Sequence, residues 1–228
     1  MATQTGMNLS QQTLTVLKNF ATINSNIYIT EGNEIKTVSP MKNIMATSTI
    51  DEEFEQDFGI WDLNKLLGTV SLFNNPMFIF EEDYLLIEGG GSSVKYYYSD
   101  PRLLTVVNDT VNMPKPVVSF ELTNSTFNDI MKASSVLQLS DLTLRSNNSD
   151  IELVAIDKTD ITSNNYSIVV GDNKSNADFS FFFKAENLKI LPGDYNVQIS
   201  DKGVSQFTHQ DIELDYWIAL ESDSKYTE

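Results

Sequence analysis

Cysteine is absent from this chain of 228 residues, and histidine occurs once, at His209. The absence of cysteine excludes disulfides, thiolate nucleophiles and cysteine-ligated zinc sites. A single histidine also excludes histidine clusters and histidine-based catalytic triads within one chain. Since His209 has no histidine or cysteine companion, we predict that it is an ordinary sheet or surface residue and no metal ligand.

Long apolar runs are also missing. No uninterrupted apolar segment approaches the 18 residues of a membrane-spanning helix, and the N-terminus lacks the basic and apolar regions of a signal peptide. The hydrophobic fraction is nevertheless 41%, with 13 Phe and 9 Tyr, which is ample for a buried core. We expect a soluble intracellular protein with no membrane partner.

Acidic residues are abundant but unevenly placed. None occurs in residues 1–30, although the chain holds 32 Asp and Glu, an average of about four per thirty residues. The formal net charge is −17 and the isoelectric point is near 4.3. Such a chain does not coat DNA by charge alone, because that mode of binding depends on neutralising phosphates.

Two segments combine helical periodicity with a shortage of charge. In residues 9–23 the apolar side chains recur every three to four positions after Ser10, which is a fair N-cap. Residues 122–137 repeat this pattern after Thr123 or Asn124, and β-rich sequence follows both segments. We predict two amphipathic helices in equivalent positions of the chain.

Two further helices are predicted, one in each half of the chain. Asp62 can cap a helix over residues 62–73, and a shorter helix is predicted over residues 184–191. Counted with their capping turns, the four helices carry a formal charge of +2. Their five lysines are Lys18, Lys65, Lys132, Lys184 and Lys189. Helices this poor in acidic residues indicate that the helical surface and the strand surface face different surroundings.

The order of elements indicates two similar domains. Each half reads as helix, strands, helix and strands, and the second half includes a predicted hairpin of residues 195–200 and 204–208. Residues 108–116 are polar and contain two prolines, which suits an extended connector. We predict α+β domains at residues 1–110 and 111–228, each with few helices and many antiparallel strands.

Three motifs invite a functional interpretation. The acidic run at residues 51–57 suggests a metal-dependent nuclease site, but no histidine or second acidic motif supports it, so a solvated strand and turn is favoured. The glycines at 89–91 lack the Gly-Lys-[Ser/Thr] ending of a phosphate-binding loop and favour a loop tip. The tyrosines at 96–98 could stack single-stranded bases or form a sheet edge at an interface. We predict no catalytic residue, no metal site and no cofactor.

Four sequence islands together resemble a known family. They are LKNFATINS at residues 17–25, WDLNKLLGTVSL at 61–72, LPGDYNVQIS at 191–200 and YWIALESDS at 216–224. In this order and spacing they resemble the sliding clamp, or DNA polymerase processivity factor, of the T-even bacteriophages and their relatives. The resemblance covers nearly the whole chain, from Leu9 to Ser224.

This resemblance implies a homotrimeric ring in which helices line the hole and antiparallel sheets form the outer wall. Such a ring encircles duplex DNA without sequence specificity and tethers the DNA polymerase. An ATP-dependent clamp loader opens it, and in this phage group late-transcription factors also contact it, in the cytoplasm of the infected host. The five helix lysines would then reach phosphates without reading bases, and the acidic exterior would repel DNA.

Two more sites follow from the resemblance. The partners of such clamps insert a hydrophobic peptide into a pocket between the domains, which implies Met113, Val117, Val118, Trp217, Ile218 and Leu220. Ile218 and Leu220 could equally be core residues. Ring closure pairs a strand edge of one subunit with an edge of the next. The implied interface residues are Val94, Tyr96, Tyr98, Tyr166, Ile168 and Val170.

Two alternatives from other classes remain open at the level of sequence. A β-rich phage structural protein would also be acidic and free of cysteine, but it would not need repeated lysine-bearing helices. A nuclease that uses residues 51–57 would bind Mg²⁺ and cut DNA.

Overall fold

The computed structural model describes residues 6–107, 111–160 and 162–228. The chain folds into two compact units, Met1–Asp109 and Thr110–Glu228. Both units combine few helices with antiparallel sheets, so the fold is of the α+β class. Within the described ranges, no helix is long and apolar enough to cross a membrane.

The first unit contains two helices and seven strands. The helices are α1 (Gln11–Ile23) and α2 (Leu63–Val70). The strands are β1 (Ile27–Ile29), β2 (Gly32–Val38), β3 (Ile44–Phe54), β4 (Phe58–Ile60), β5 (Met77–Phe80), β6 (Tyr84–Gly89) and β7 (Ser92–Tyr97). Strand β1 pairs with β4, β2 pairs with β3, and β5, β6 and β7 form a three-stranded antiparallel sheet in sequence order.

The second unit contains one helix and nine strands. The helix is α3 (Asn124–Leu137). The strands are β8 (Val118–Leu122), β9 (Asp141–Asn147), β10 (Asp150–Ile156), β11 (Tyr166–Asp172), β12 (Asp178–Lys184), β13 (Tyr195–Ser200), β14 (Val204–His209), β15 (Leu214–Ala219) and β16 (Lys225–Thr227). One sheet has the order β11-β10-β9-β12-β16, and a second has the order β15-β14-β13-β8.

The helices begin where their capping residues predict. The Ser10 side chain accepts a hydrogen bond from the Thr13 amide, and the Thr123 side chain accepts one from the Thr126 amide, both at 3.1 Å. Asp62 caps α2 by accepting from the Lys65 amide. Each cap satisfies an amide that the first turn leaves without an intrahelical partner. The predicted starts of these three helices are therefore confirmed.

Aromatic residues fill the space between the two sheets of the second unit. Phe179, Phe181 and Phe183 alternate along β12 and are buried, and the ring of Phe183 lies 6.2 Å from that of Phe207 on β14. Tyr195 and Tyr216 are fully buried in the same core. Period-two alternation thus places one face of each strand inside the unit.

The fourth predicted helix is wrong. Residues 185–187 form one 3₁₀ turn only, and Lys184 is the last residue of β12. The sheet register explains this, because Lys184 pairs with Asp141 on β9 while Leu188 and Ile190 are buried without forming a helix. Pro192 follows too closely for a longer helix to develop.

The connector and the glycine loop can also be placed. Residues 108–110 of the predicted connector lie outside the described residues, and residues 111–117 form no helix or strand. Gly90 and Gly91 form the turn between β6 and β7 with φ values of 59° and 82°. Positive φ at both turn positions is typical of a tight hairpin, so the prediction of a loop tip is confirmed.

Candidate nucleic-acid interface

The solvent-facing sides of the three helices are nearly free of negative charge. Helix α1 contains no acidic residue and exposes glutamine, threonine and one lysine. Helix α3 exposes Asn128, Asp129 and Lys132 along with serines. These short polar side chains can donate hydrogen bonds to phosphate oxygens, and the scarcity of carboxylates removes the main source of repulsion.

Three lysines on these helices are available to a polyanion. Lys18 on α1, Lys65 on α2 and Lys132 on α3 are all exposed. Within the described ranges none of the three forms an ion pair. Counted with their capping residues, the helices oppose these three lysines with Asp62 and Asp129 only. The surface is therefore weakly cationic in a chain of charge −17.

Lys184 does not belong to this surface. Its ammonium donates to Asp141 Oδ1 at 2.6 Å, and the exposed fraction of Asp141 is 1%. Burial alone would raise the pKa of Asp141, but hydrogen bonds from Lys184 and Ser140 outweigh burial and lower it. The bond to Asp141 likewise raises the pKa of Lys184. Lys189 is exposed, but it lies outside any helix.

The acidic run at residues 51–57 has structural partners. Glu52 accepts hydrogen bonds from the Ser10 amide and the Thr13 hydroxyl, so it fastens the start of α1 to β3. Asp57 accepts from the Glu31 amide and the Tyr28 hydroxyl. Among the residues that the structure describes, no group of three or more His, Asp or Glu could hold a metal ion. The arrangement does not support a nuclease site.

Strand β7 ends the three-stranded sheet of the first unit and has no second partner strand within the described ranges. Val94 and Tyr96 point to the α2 side, where the Tyr96 hydroxyl donates to the Asp62 carbonyl at 2.9 Å. A cavity of about 480 Å³ lies there, lined in part by Val94, Tyr96 and Lys65. Tyr98 follows the strand and packs against Phe58.

Strand β11 ends the five-stranded sheet of the second unit in the same way. It pairs with β10 only, as far as the described residues show. Tyr166 and Ile168 lie on one face of β11, Val169 on the other face is 57% exposed, and a β-bulge leaves Val170 without a register partner on β10. Unpaired edges with exposed apolar side chains are ready to pair with another strand.

The residues implied for a partner-peptide pocket differ in accessibility. Met113, Val117, Trp217 and Leu220 are half-buried, whereas Val118 and Ile218 are buried in the second unit. Ile218 is 0% exposed and its carbonyl accepts from Ser205, so a ligand cannot reach its side chain. The structure places Ile218 in the core of the second unit, which is one of the two alternatives left open for it. The Trp217 indole N–H is buried and has no acceptor among the described residues.

Sequence reasoning missed Trp61. Its side chain is 58% exposed and lines the cavity next to β7 together with Lys65 and Tyr97. Its position directly before the Asp62 cap was no signal of this exposure, because an apolar residue there often packs against the first turns of the helix. Exposed aromatic residues of this kind mark interaction surfaces.

Relatives of known name match this chain over nearly its whole length. The sliding clamp of Vibrio phage KVP40 is 32% identical over 222 residues, which cover 95% of this chain and 100% of that protein. The chain belongs to the sliding clamp family of T4-like phages. The clamps of Escherichia phage RB69 and Enterobacteria phage T4 are 27% and 28% identical and cover 96% of this chain and 99% of each relative.

Family models agree with this membership. The model of the gp45 sliding clamp C-terminal region matches residues 119–222, and the model of the DNA polymerase processivity factor matches residues 10–77. The two matches fall in the second and the first unit of the clamp, respectively.

Solved structures show the same fold at low sequence identity. The PCNA of A. fulgidus superimposes with a TM-score of 0.70 at 14% identity, covering 93% of this clamp and 96% of that chain. The H. pylori β clamp superimposes with a TM-score of 0.71 at 12% identity, covering 97% of this clamp and 67% of that chain. The processivity fold predicted from the sequence is confirmed.

Proposed function

We propose that this clamp forms a homotrimeric ring around duplex DNA and tethers the replicative DNA polymerase to it, without catalytic activity of its own. The observation that carries the proposal is the placement of Lys18, Lys65 and Lys132 on exposed helix faces that are nearly free of carboxylates. Membership in the sliding clamp family supports the topological mode of binding. Lys184 and Lys189 are left out of the DNA-facing set, because neither lies on a helix and Lys184 is paired with Asp141.

The weak positive charge of the helix faces is compatible with a ring that encloses duplex DNA. Each phosphate that a lysine neutralises releases a counterion, so a surface with many lysines would bind DNA tightly and resist sliding. Three exposed lysines per chain attract the backbone without base contacts, and the acidic remainder of the clamp repels DNA from other surfaces. Once the ring is closed, retention depends on topology and requires no tight contact.

Ring closure is assigned to the two unpaired edges. Strand β7 of one copy adds to strand β11 of the next, so that Val94, Tyr96 and Tyr98 of the first unit meet Tyr166, Ile168 and Val170 of the second. Main-chain hydrogen bonds across the new strand pair satisfy the edge groups, and the apolar side chains cover one another. Because the two edges are different surfaces, the contact is heterologous, and a rotation of one third of a turn between copies would close it into a ring of about three chains.

Partner proteins are assigned to the second unit. The half-buried residues Met113, Val117, Trp217 and Leu220, with Val118 beneath them, offer an apolar surface to a short peptide of the polymerase. An ATP-dependent clamp loader and late-transcription factors of the phage would use the same kind of peptide contact. The site of action is the cytoplasm of the infected host.

The test combines native mass with retention on DNA. In solution, three chains of 25.7 kDa give about 77 kDa, which a homotrimer requires. The clamp is then loaded on nicked circular DNA by the cognate loader, and its retention is compared before and after the circle is linearised. Enclosure predicts long retention on circles and rapid loss from linear DNA.

The charge of the helix faces is tested with matched variants. Lys18→Glu with Lys132→Glu should reduce loading and processive synthesis at least tenfold, because like charges then face the phosphates. Lys42→Glu with Lys174→Glu makes the same change of charge at exposed positions outside the helices and should leave both nearly unchanged. A stable monomer, equal retention on circular and linear DNA, or equal effects of the two pairs would each contradict the proposal.

A further inference from the structure

The single histidine is buried at the end of β14, where it contacts several neighbouring groups. His209 is 8% exposed, and its ring lies 5.0 Å from that of Tyr195 in an edge-on arrangement. Its Nδ1 accepts a hydrogen bond from the Asp211 amide at 3.1 Å. Since an amide can only donate, Nδ1 must be unprotonated, and the hydrogen-bond network assigns the proton to Nε2. Nε2 then faces the Pro192 carbonyl at 3.4 Å, as a long hydrogen bond.

The ring also closes over Gly193. A Cβ atom at this glycine would lie 2.1 Å from Nε2 and less than 3.0 Å from two carbon atoms of the ring. Only glycine therefore fits beneath the histidine. The imidazole and the glycine together fix the path of residues 192–194, which join the end of the 184–191 segment to β13.

This turn is held from both sides. The Tyr195 hydroxyl donates to the Leu191 carbonyl, and the Leu191 amide donates to the Tyr216 hydroxyl at 3.1 Å. The Asp194 carbonyl accepts from the Gln210 amide at 2.9 Å. Together with the contact of His209 with Pro192, these bonds hold the chain at Leu191, Pro192 and Asp194. Asp194, the one charged residue of the turn, therefore has a fixed position.

That side chain reaches the start of α3. Asp194 Oδ1 accepts a hydrogen bond from the Asn124 amide at 2.7 Å. Asn124 is the first residue of α3, so its amide has no carbonyl partner within the helix. A carboxylate at this position also interacts favourably with the positive end of the helix dipole. The contact ties the first turn of α3 to the 192–194 turn.

We propose that His209 is a positioning residue for α3. His209 contacts Pro192 and packs over Gly193, and these contacts fix the turn. This turn holds Asp194 against the Asn124 amide and so fixes the helix that carries Lys132. The link to DNA rests on the proposed function, in which Lys132 faces the phosphates. His209 itself contacts no DNA in this scheme and acts only through the turn.

The clearest physical readout is hydrogen exchange at the Asn124 amide in the full-length clamp. Among the described residues this amide bonds only to Asp194. Its protection from exchange therefore reports whether Asp194 still holds the start of α3. His209→Ala should speed its exchange by roughly tenfold, the factor lost with one hydrogen bond to a charged group. The Thr13 amide, which donates to the Ser10 cap of α1 in the first unit, is the internal reference and should not change.

Conservative variants separate positioning from simple loss of packing. A glutamine can place its amide near the Nε2 position and donate to Pro192, whereas an asparagine reaches the Nδ1 position only. His209→Gln should therefore restore slow exchange at Asn124 and normal loading on circular DNA, whereas His209→Asn should not. In the wild-type clamp, the nitrogen shifts of the sole histidine should show a protonated Nε2 and an unprotonated Nδ1.

The outcomes distinguish this proposal from the proposed function. Unchanged Asn124 exchange in a folded His209→Ala variant, or the opposite tautomer in the wild type, would show that His209 does not hold the 192–194 turn. Faster exchange with unchanged loading and processive synthesis would overturn the positioning role. If the wild-type clamp itself is not retained on circles, the proposed function fails, and the exchange experiment still decides whether His209 holds α3.

Discussion

Replacement of Lys184 by methionine should destabilise the second unit and should not act through DNA. Lys184 ends β12 and donates to Asp141, whose exposed fraction is 1%. Methionine keeps most of the side-chain volume but removes the charge. The variant therefore leaves the Asp141 carboxylate buried with Ser140 as its remaining side-chain donor at 2.7 Å.

The size of the effect follows from the burial of the two partners. Removal of one member of a buried ion pair costs about 3–5 kcal/mol, because the other charge stays behind. The Lys184 side chain is 35% exposed, so water partly screens the pair, and Ser140 still donates. We expect a loss of about 2 kcal/mol at neutral pH, which corresponds to a fall of roughly 1 M in the urea midpoint.

The assay must report the second unit alone. The chain has two tryptophans, so a Trp61→Phe background leaves Trp217 as the probe of this unit. Urea unfolding is compared at one fixed protomer concentration, since assembly also contributes to stability. Lys132→Met is the matched control, and this exposed lysine without an ion pair should change the free energy of unfolding by less than about 0.5 kcal/mol.

The pH dependence has a defined sign. The pKa of Asp141 is lowered in the folded protein, so the pair contributes stability above the pKa of an unfolded aspartate and loses it as the pH falls through the folded pKa. The difference between wild type and Lys184→Met should therefore be largest at neutral pH and shrink in acid. Lys184→Met with Asp141→Leu should recover much of the loss, because no charge is then buried.

One result would refute this reasoning. If Lys184→Met and Lys132→Met have equal, small effects on unfolding and both weaken loading on DNA, then Lys184 acts at the DNA surface and its pair with Asp141 is incidental.

Two further predictions concern titratable groups. Burial opposes the charge of Glu52, but hydrogen bonds from Thr13 and Ser10 outweigh burial and lower its pKa, so Glu52→Gln should cost about 1 kcal/mol at neutral pH. That cost should shrink as the pH falls through the folded pKa, and a difference in urea midpoint that is the same at neutral and acidic pH would contradict the cap. Burial raises the pKa of Tyr98 to about 12 and raises those of Tyr195 and Tyr216 further. Stability should therefore fall above the pKa of an unfolded tyrosine, and tyrosinate absorbance should show that Tyr195 and Tyr216 ionise only with unfolding; ionisation of both before unfolding would be inconsistent with their burial.

Local patterns in the sequence were sufficient for the helix starts and for one hairpin. Ser10, Asp62 and Thr123 precede apolar residues at helical spacing, and their caps form because each side chain bonds an amide only three residues away. The hairpin predicted over residues 195–200 and 204–208 is likewise present as β13 and β14. Such features depend on short stretches of chain, so they can be read without knowing the fold.

Long-range pairing was beyond the reach of those patterns. The sequence around Lys184 predicted a helix. In the structure Lys184 is a strand residue, because β12 pairs with β9 in a register that places it opposite Asp141. This buried counter-ion is 43 residues away in the sequence. His209 looked like an ordinary sheet residue, and its seat over Gly193 appears only when β13 and β14 pair. The edges β7 and β11 are open because of the order of strands in each sheet, which side-chain periodicity does not encode.

The sequence by itself thus determined where three helices begin, where one hairpin lies, and that α1 contains no acidic residue. Only the tertiary structure decided which lysines remain unpaired, which edges are unoccupied, and which turn holds α3. The physical reason is range: caps and alternation are set within a few residues, whereas charge pairing and edge exposure depend on contacts between segments distant in the chain.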